Sequence, residues 1–192
     1  MLRAATLMSL AAVSGAAVAQ PAITIEVDDP VLLPGESTTV TLFAGFDRPD
    51  WAMAGLQTDF VTSVGSHGWS DPVVLEPMDA PGASPGLPST TGYDAIIAGQ
   101  LQFLGAGIFA DPMNPATFWQ ATYTAPADVA APFDVDLSTM TSRYDVYIDA
   151  DSSRSESRLA ELVEGSGTIS VVPAPASIVV LVLGAACVRR RY

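Results

Sequence analysis

The chain has 192 residues, with 21 acidic side chains, eight basic ones that are all arginine, one histidine and one cysteine. The lone Cys187 excludes an internal disulfide and any cysteine-cluster metal site, and a single histidine leaves little material for zinc, nucleophilic or Schiff-base chemistry. All the acids fall between Glu26 and Glu164, where only Arg48, Arg143, Arg154 and Arg158 oppose them. That stretch, with 21 negative charges against four positive, stands at −17, which argues against nucleic acid or anionic lipid as a partner.

Residues 1–19 read as a removable leader. Met1-Leu2-Arg3 gives a positive start, and Ala4 to Val18 is small and apolar. Ala17-Val18-Ala19 places small residues at both positions that a signal peptidase must accept, so the mature chain is expected to begin at Gln20. Residues 20–172 then form the body. It has the size of one domain and is long enough to bury a core without a metal or disulfide staple.

Strand patterning dominates the body. Ala22 to Val27 alternates between apolar and polar residues, turn residues follow around Pro30 and Pro34-Gly35, and Ser37 to Phe43 is a second alternating run. Further strands are predicted over 55–62, 93–97, 99–104, 118–124, 133–139, 143–149 and 168–172. Seven or more short strands separated by turn residues predict an all-β fold, a single antiparallel β-sandwich. The first strand followed by Pro34-Gly35-Glu36-Ser37-Thr38-Thr39-Val40-Thr41-Leu42 is similar to the first hairpin of cohesin-like and immunoglobulin-like modules, and Leu56-Gln57-Thr58-Asp59-Phe60 is similar to the next cohesin-like strand. That resemblance implies an architecture only. Residues 63–92 hold five prolines and read as a long loop with at most a short strand at 73–75. Ser153-Arg154-Ser155-Glu156 has capping-box spacing ahead of Leu159, Leu162 and Val163, which predicts one short helix closed by Gly165.

Three groups carry candidate chemistry. Ser66, His67 and Asp71 fall within seven residues, but a triad needs a rigid frame, and no Gly-x-Ser-x-Gly elbow is present. No catalytic residue is assigned. Asp145, Asp149 and Asp151 are the best ligands for a cation. Asp145 and Asp149 share one strand face, and calcium is the ion such oxygens suit. However, Arg154 and Ala160 stand where a calcium loop needs Gly and Glu, so no metal residue or cofactor is assigned. Trp51, Trp69, Trp119, Tyr93 and Phe118 supply either core packing or a sugar-stacking platform. Phe118 and Trp119, adjacent on a strand, are expected to point to opposite faces and leave one exposed.

The tail reads Val172-Pro173-Ala174-Pro175-Ala176-Ser177, an uncharged run from Ile178 to Val188, then Arg189-Arg190-Arg191-Tyr192. The prolines keep the approach extended, the apolar run is short for a membrane span, and the arginines hold the end in the cytoplasm. This order of parts resembles the PEP-CTERM sorting signal of exported bacterial proteins, with Ala174 where that family usually has Glu. Residues 173–192 are therefore expected to form a sorting tail with a short transmembrane helix. Its sorting residues would be Pro173, Ala174, Pro175, Arg189, Arg190 and Arg191. The resemblance implies an exosortase as processing enzyme, alongside the signal peptidase that recognises Ala17 and Ala19, and transient anchoring in the inner membrane. The expected function is an exported, non-catalytic cell-surface or extracellular-matrix protein, with a carbohydrate-binding or adhesion module as the alternative and exopolysaccharide as the partner that reading suggests.

Overall fold

A computed structural model describes residues 20–46, 52–100, 114–148 and 155–174. Two sheets face each other. One has four strands in the order β1 (Ala22–Val27), β3 (Ser37–Gly45), β8 (Ala116–Thr124) and β5 (Trp69–Val74). The other runs β2 (Val31–Leu32), β11 (Ser166–Val171), β9 (Phe133–Tyr147), β4 (Ala52–Thr62), β7 (Gly92–Gly99) and β6 (Ser84–Pro88), with β10 (Ser155–Ser157) added against β9.

The alternation read from the sequence sets which side chains point inward. On β3, Thr38, Val40, Leu42 and Ala44 are buried while Thr39, Thr41 and Phe43 face outward. An aromatic cluster fills the space between the sheets. Phe60 from β4 meets Trp69 edge-on and Trp119 at an angle, both with ring centroids 5.0 Å away, while Tyr123 and Tyr93 close the cluster on either side. Each such side chain contributes roughly 1.5–3 kcal/mol by leaving water. Two polar bonds tie the sheets across this core. Trp119 Nε1 donates to Pro85 O at 3.0 Å, and Tyr144 Oη donates to Gly45 O at 2.7 Å.

The structure corrects several expectations. Phe118 and Trp119 are both fully buried, because the β3–β8 register shifts between Leu42 and Phe43. That bulge makes Phe118 the extra residue, so both rings turn inward while Thr117 and Gln120 face out. The two strands predicted over 133–139 and 143–149 are one strand, β9. The shift opposite Gln57–Thr58 leaves Ser142 as an extra residue and so absorbs its polar middle. The loop over 63–92 contains β5 and β6, since Pro85 and Pro88 are tolerated on an edge strand and Gly86 (φ +88°) packs against Ile96.

No α-helix occurs among the described residues. Where the short helix was expected, β10 pairs with β9 and a single 3₁₀ turn follows over Leu159–Glu161. Pairing is not wholly antiparallel, because β2 and β11 run parallel over two residues. Strand β7 stops at Gly99, so most of the strand predicted over 99–104 lies outside the described residues, as do the leader and the apolar run of the tail. No helix among the described residues is long and apolar enough to cross a membrane.

Candidate functional site

The residues singled out for catalysis do not come together. His67 is exposed on the turn into β5, Asp71 is exposed on β5 itself, Ser66 is half-buried, and among the described residues no hydrogen bond joins the three side chains. Asp145 lies half-buried on β9, its carboxylate accepting a 2.6 Å bond from Arg143 Nε, while Asp149 and Asp151 fall outside the described residues. No group of three or more metal-ligating side chains forms among the described residues. Trp69, Trp119, Tyr93 and Phe118 all belong to the core, so none of the four offers a ring face to solvent; Trp51 is outside the described residues. Burial lifts the Tyr123 phenol above its usual value. Tyr93 is lifted by burial and, in addition, by the Asp71 carboxylate.

The two ends of the body are pinned differently. Gln20 is exposed, whereas Pro21 is buried and its carbonyl accepts from Val163 N at 2.9 Å. After β11, Val172 N donates to Leu32 O at 2.9 Å, Pro173 is half-buried and Ala174 is exposed. Ala17, Ala19, Pro175, Arg189, Arg190 and Arg191 lie outside the described residues.

The sequence reading missed the most distinctive surface, the outer face of the larger sheet. Leu87 on β6 is 70 % exposed, Ile97 on β7 38 %, and Met140 on β9 60 %. Strand register sets them among polar neighbours. Leu87 lies beside Asp94, Ile97 and Arg143 flank Gln57, and Met140 lies beside Asp59. The floor between them is flat, because Gly55 lies opposite both Gly99 and Asp145. A side chain at Gly99 would stand 2.7 Å from Ala54 O, and the Arg143 guanidinium covers Gly55 at 3.7 Å from where a Cβ would be. A shallow groove of about 160 Å³ runs over these glycines, past Ala80–Ala83 to Ile97 and Arg143. Met140 carried the one sequence signal, as a large apolar residue inside the polar run from Ser138 to Ser142.

This sheet is also guarded against edge pairing. Pro85 and Pro88 lie on β6 at its margin, and on the other sheet Pro72 and the left-handed Asp71 (φ +53°) interrupt β5. Such edges resist strand addition.

No family model matches the chain, and no curated protein matches it. Solved structures do. The seventh ScaB type I cohesin of Pseudobacteroides cellulosolvens superposes with a TM-score of 0.55 at 13% identity, covering 79% of this chain and 92% of that one. A cohesin module from a family 33 glycoside hydrolase of Clostridium perfringens gives 0.49 at 10% identity over 81% and 98%. A type I cohesin–dockerin complex of Clostridium thermocellum gives 0.48 at 10% identity over 84% and 100%. The body is a cohesin-like β-sandwich.

Proposed function

We propose that the chain is an exported, non-catalytic surface protein whose body binds a protein partner through the outer face of the larger sheet. The observation that carries this reading is the placement of Leu87, Ile97 and Met140 on β6, β7 and β9 of one sheet face, with Asp59, Asp94, Gln57 and Arg143 among them. Apolar anchors inside a polar rim are what a protein interface uses. The cohesin-like fold supports the same reading, and dockerin modules, held by the Clostridium thermocellum complex, are the first partners to try. Binding of the purified full chain to a panel of dockerin modules tests it. At least one should bind, and Leu87→Asp with Met140→Asp should weaken that binding about a hundredfold; binding unchanged in the double variant, or no binding by any module, refutes it.

Export and sorting complete the proposal. Signal peptidase would release the chain at Gln20, and an exosortase would act on 173–192 while Arg189, Arg190 and Arg191 stop the apolar run from slipping through the inner membrane. The supports are the order of parts in the tail and the fit of the fold to these limits, with pairing that begins at Pro21 and ends at Val172. Intact mass of the surface form in cells containing an exosortase decides the matter. A chain starting at Gln20 and lacking Tyr192 is expected; a surface form that retains Met1 overturns the leader reading, and one that retains Tyr192 overturns the sorting reading.

A further inference from the structure

We propose that the outer face of the four-stranded sheet binds a neutral polysaccharide, on a surface separate from the partner face above and independent of it. Its two central strands, β3 and β8, are nine residues each and contain no charged residue, in a body that otherwise carries 21 acids against four arginines. What they turn outward is a lattice of hydroxyl and amide groups. Thr41 lies beside Gln120, Thr39 beside Thr122, and Phe43 beside Thr117. Strand geometry spaces these groups about 4.8 Å across the sheet and about 6.7 Å along it.

Three properties select the occupant. First, the side chains of Thr39, Thr41, Thr117, Gln120 and Thr122 make no hydrogen bond among the described residues; the bond on this face is Ser37 Oγ to Thr124 Oγ1, 2.8 Å, at its margin. A hydroxyl both donates and accepts, which matches the hydroxyls of a sugar chain group for group. Second, β-branched threonines have few rotamers, so ordering them on binding costs little. Third, the half-buried Phe43 ring lies in the same face between Thr24 and Thr117, and Glu26 flanks Thr41. An aromatic ring takes the apolar face of a pyranose, and a carboxylate accepts from its hydroxyls. With no cation on the two central strands and a strongly negative body, an anionic polymer has nothing to attract it. A protein partner would want several large apolar anchors, and among the described residues this face offers Val73 at its edge strand, beside Gln120, and no large aliphatic side chain on its two central strands.

Affinity electrophoresis of the purified full chain tests the proposal, in native gels containing hydroxyethyl cellulose, laminarin or galactomannan, with alginate as the anionic polymer. Retardation is expected in at least one neutral gel and not in alginate. The isosteric triple variant Thr39→Val, Thr41→Val, Thr122→Val should raise the apparent Kd at least tenfold while unfolding at the same temperature. If that variant does not unfold cooperatively, the single change Thr41→Arg should give the same tenfold loss. The proposal is overturned if the wild-type chain migrates freely in all three neutral gels, if alginate retards it equally, or if the folded variant is retarded like the wild type.

Discussion

Replacing Tyr144 by Phe removes one oxygen from the middle of the protein and nothing else. The ring is fully buried on β9, and its hydroxyl donates across the sandwich to Gly45 O at the end of β3. The apolar burial of the ring survives the change, so the transfer term cancels. What remains is the net worth of a buried hydrogen bond, about 1 kcal/mol, with an added penalty of up to about 1 kcal/mol for a carbonyl stranded away from water. A loss of about 1–2 kcal/mol is expected, or roughly 2–8 °C in Tm for a domain of this size. Urea titration of the full chain should show a lower midpoint at unchanged slope, since no additional surface is exposed. Tyr93→Phe is the comparison. Its ring is buried too, but its hydroxyl makes no hydrogen bond among the described residues, so it should cost under about 0.5 kcal/mol. Equal costs at the two positions would refute the claim that the Tyr144 bond ties the sheets together.

Trp119→Phe should cost more, about 2–4 kcal/mol by urea titration, because it opens a void in the aromatic cluster and frees Pro85 O as well; a cost under about 1 kcal/mol would contradict this. Gly92 (φ +138°) and Gly35 (φ +79°) separate two reasons for glycine. A Cβ at Gly92 would lie 2.0 Å from Phe60 O, whereas one at Gly35 meets nothing within 4 Å. Gly92→Ala should therefore cost about 3 kcal/mol or more and Gly35→Ala about 1–2, read as a difference in thermal midpoint, and a reversed order would refute the placement of β7 against β4. Stability should also fall at alkaline pH. Burial raises Tyr123, and burial with Asp71 raises Tyr93, above the usual 10.0, so the unfolded chain gives up these protons first. The contribution is complete below pH 10.0 and is lost as pH rises through the folded values, and Tyr93→Phe with Tyr123→Phe should halve the drop between pH 9 and pH 11 or better.

Where side-chain alternation ran undisturbed, strands were legible: β1, β3 and β11 follow the sequence pattern closely, because period-two burial is the dominant signal for a half-buried strand. The failures share one physical cause, which is pairing with residues distant in the sequence, and in two cases that pairing is irregular. The bulge at Phe118 turns two adjacent aromatic residues inward, and the shift opposite Gln57–Thr58 lets the polar Thr141-Ser142 stretch continue a strand that alternation would have ended. A third case is the stretch that mimics a helix start. Glu156 on β10 pairs opposite Val146 on β9, and local capping spacing cannot reveal a partner strand. Nearby Glu164 binds Thr139 Oγ1, Thr141 N and Thr141 Oγ1 at 2.7–2.9 Å, pinning the polar middle of β9 through contacts more than twenty residues apart. The proposed partner face was illegible for the same reason. Leu87, Ile97 and Met140 share no spacing in the sequence, and only the order β6–β7–β4–β9 makes them neighbours.

That order also constrains how the proposed tail would present the body. Ala22 pairs in parallel with Val163, and Val171 pairs in parallel with Leu32, so β1 and β11 run side by side in the same direction. The body therefore begins at one pole and ends at the other, separated by at least a strand of six residues, about 20 Å. Asp28, Asp29, Glu36, Asp128 and Asp134 are exposed around the pole where β11 ends, next to Pro173. On the proposed sorting reading, an uncut chain would hold this acidic pole against the bilayer, with only Pro173 and Ala174 between the last paired residue, Val172, and the second proline of the motif. Charge near an anionic surface acts within about a Debye length, so attraction to lipid would come from the tail alone and the body would be pushed away. Cutting the tail would then remove the only attractive contact and leave repulsion behind. Both sheet faces lie along the axis between the poles, so on that reading neither proposed binding face would be blocked by the membrane while the tail was still attached.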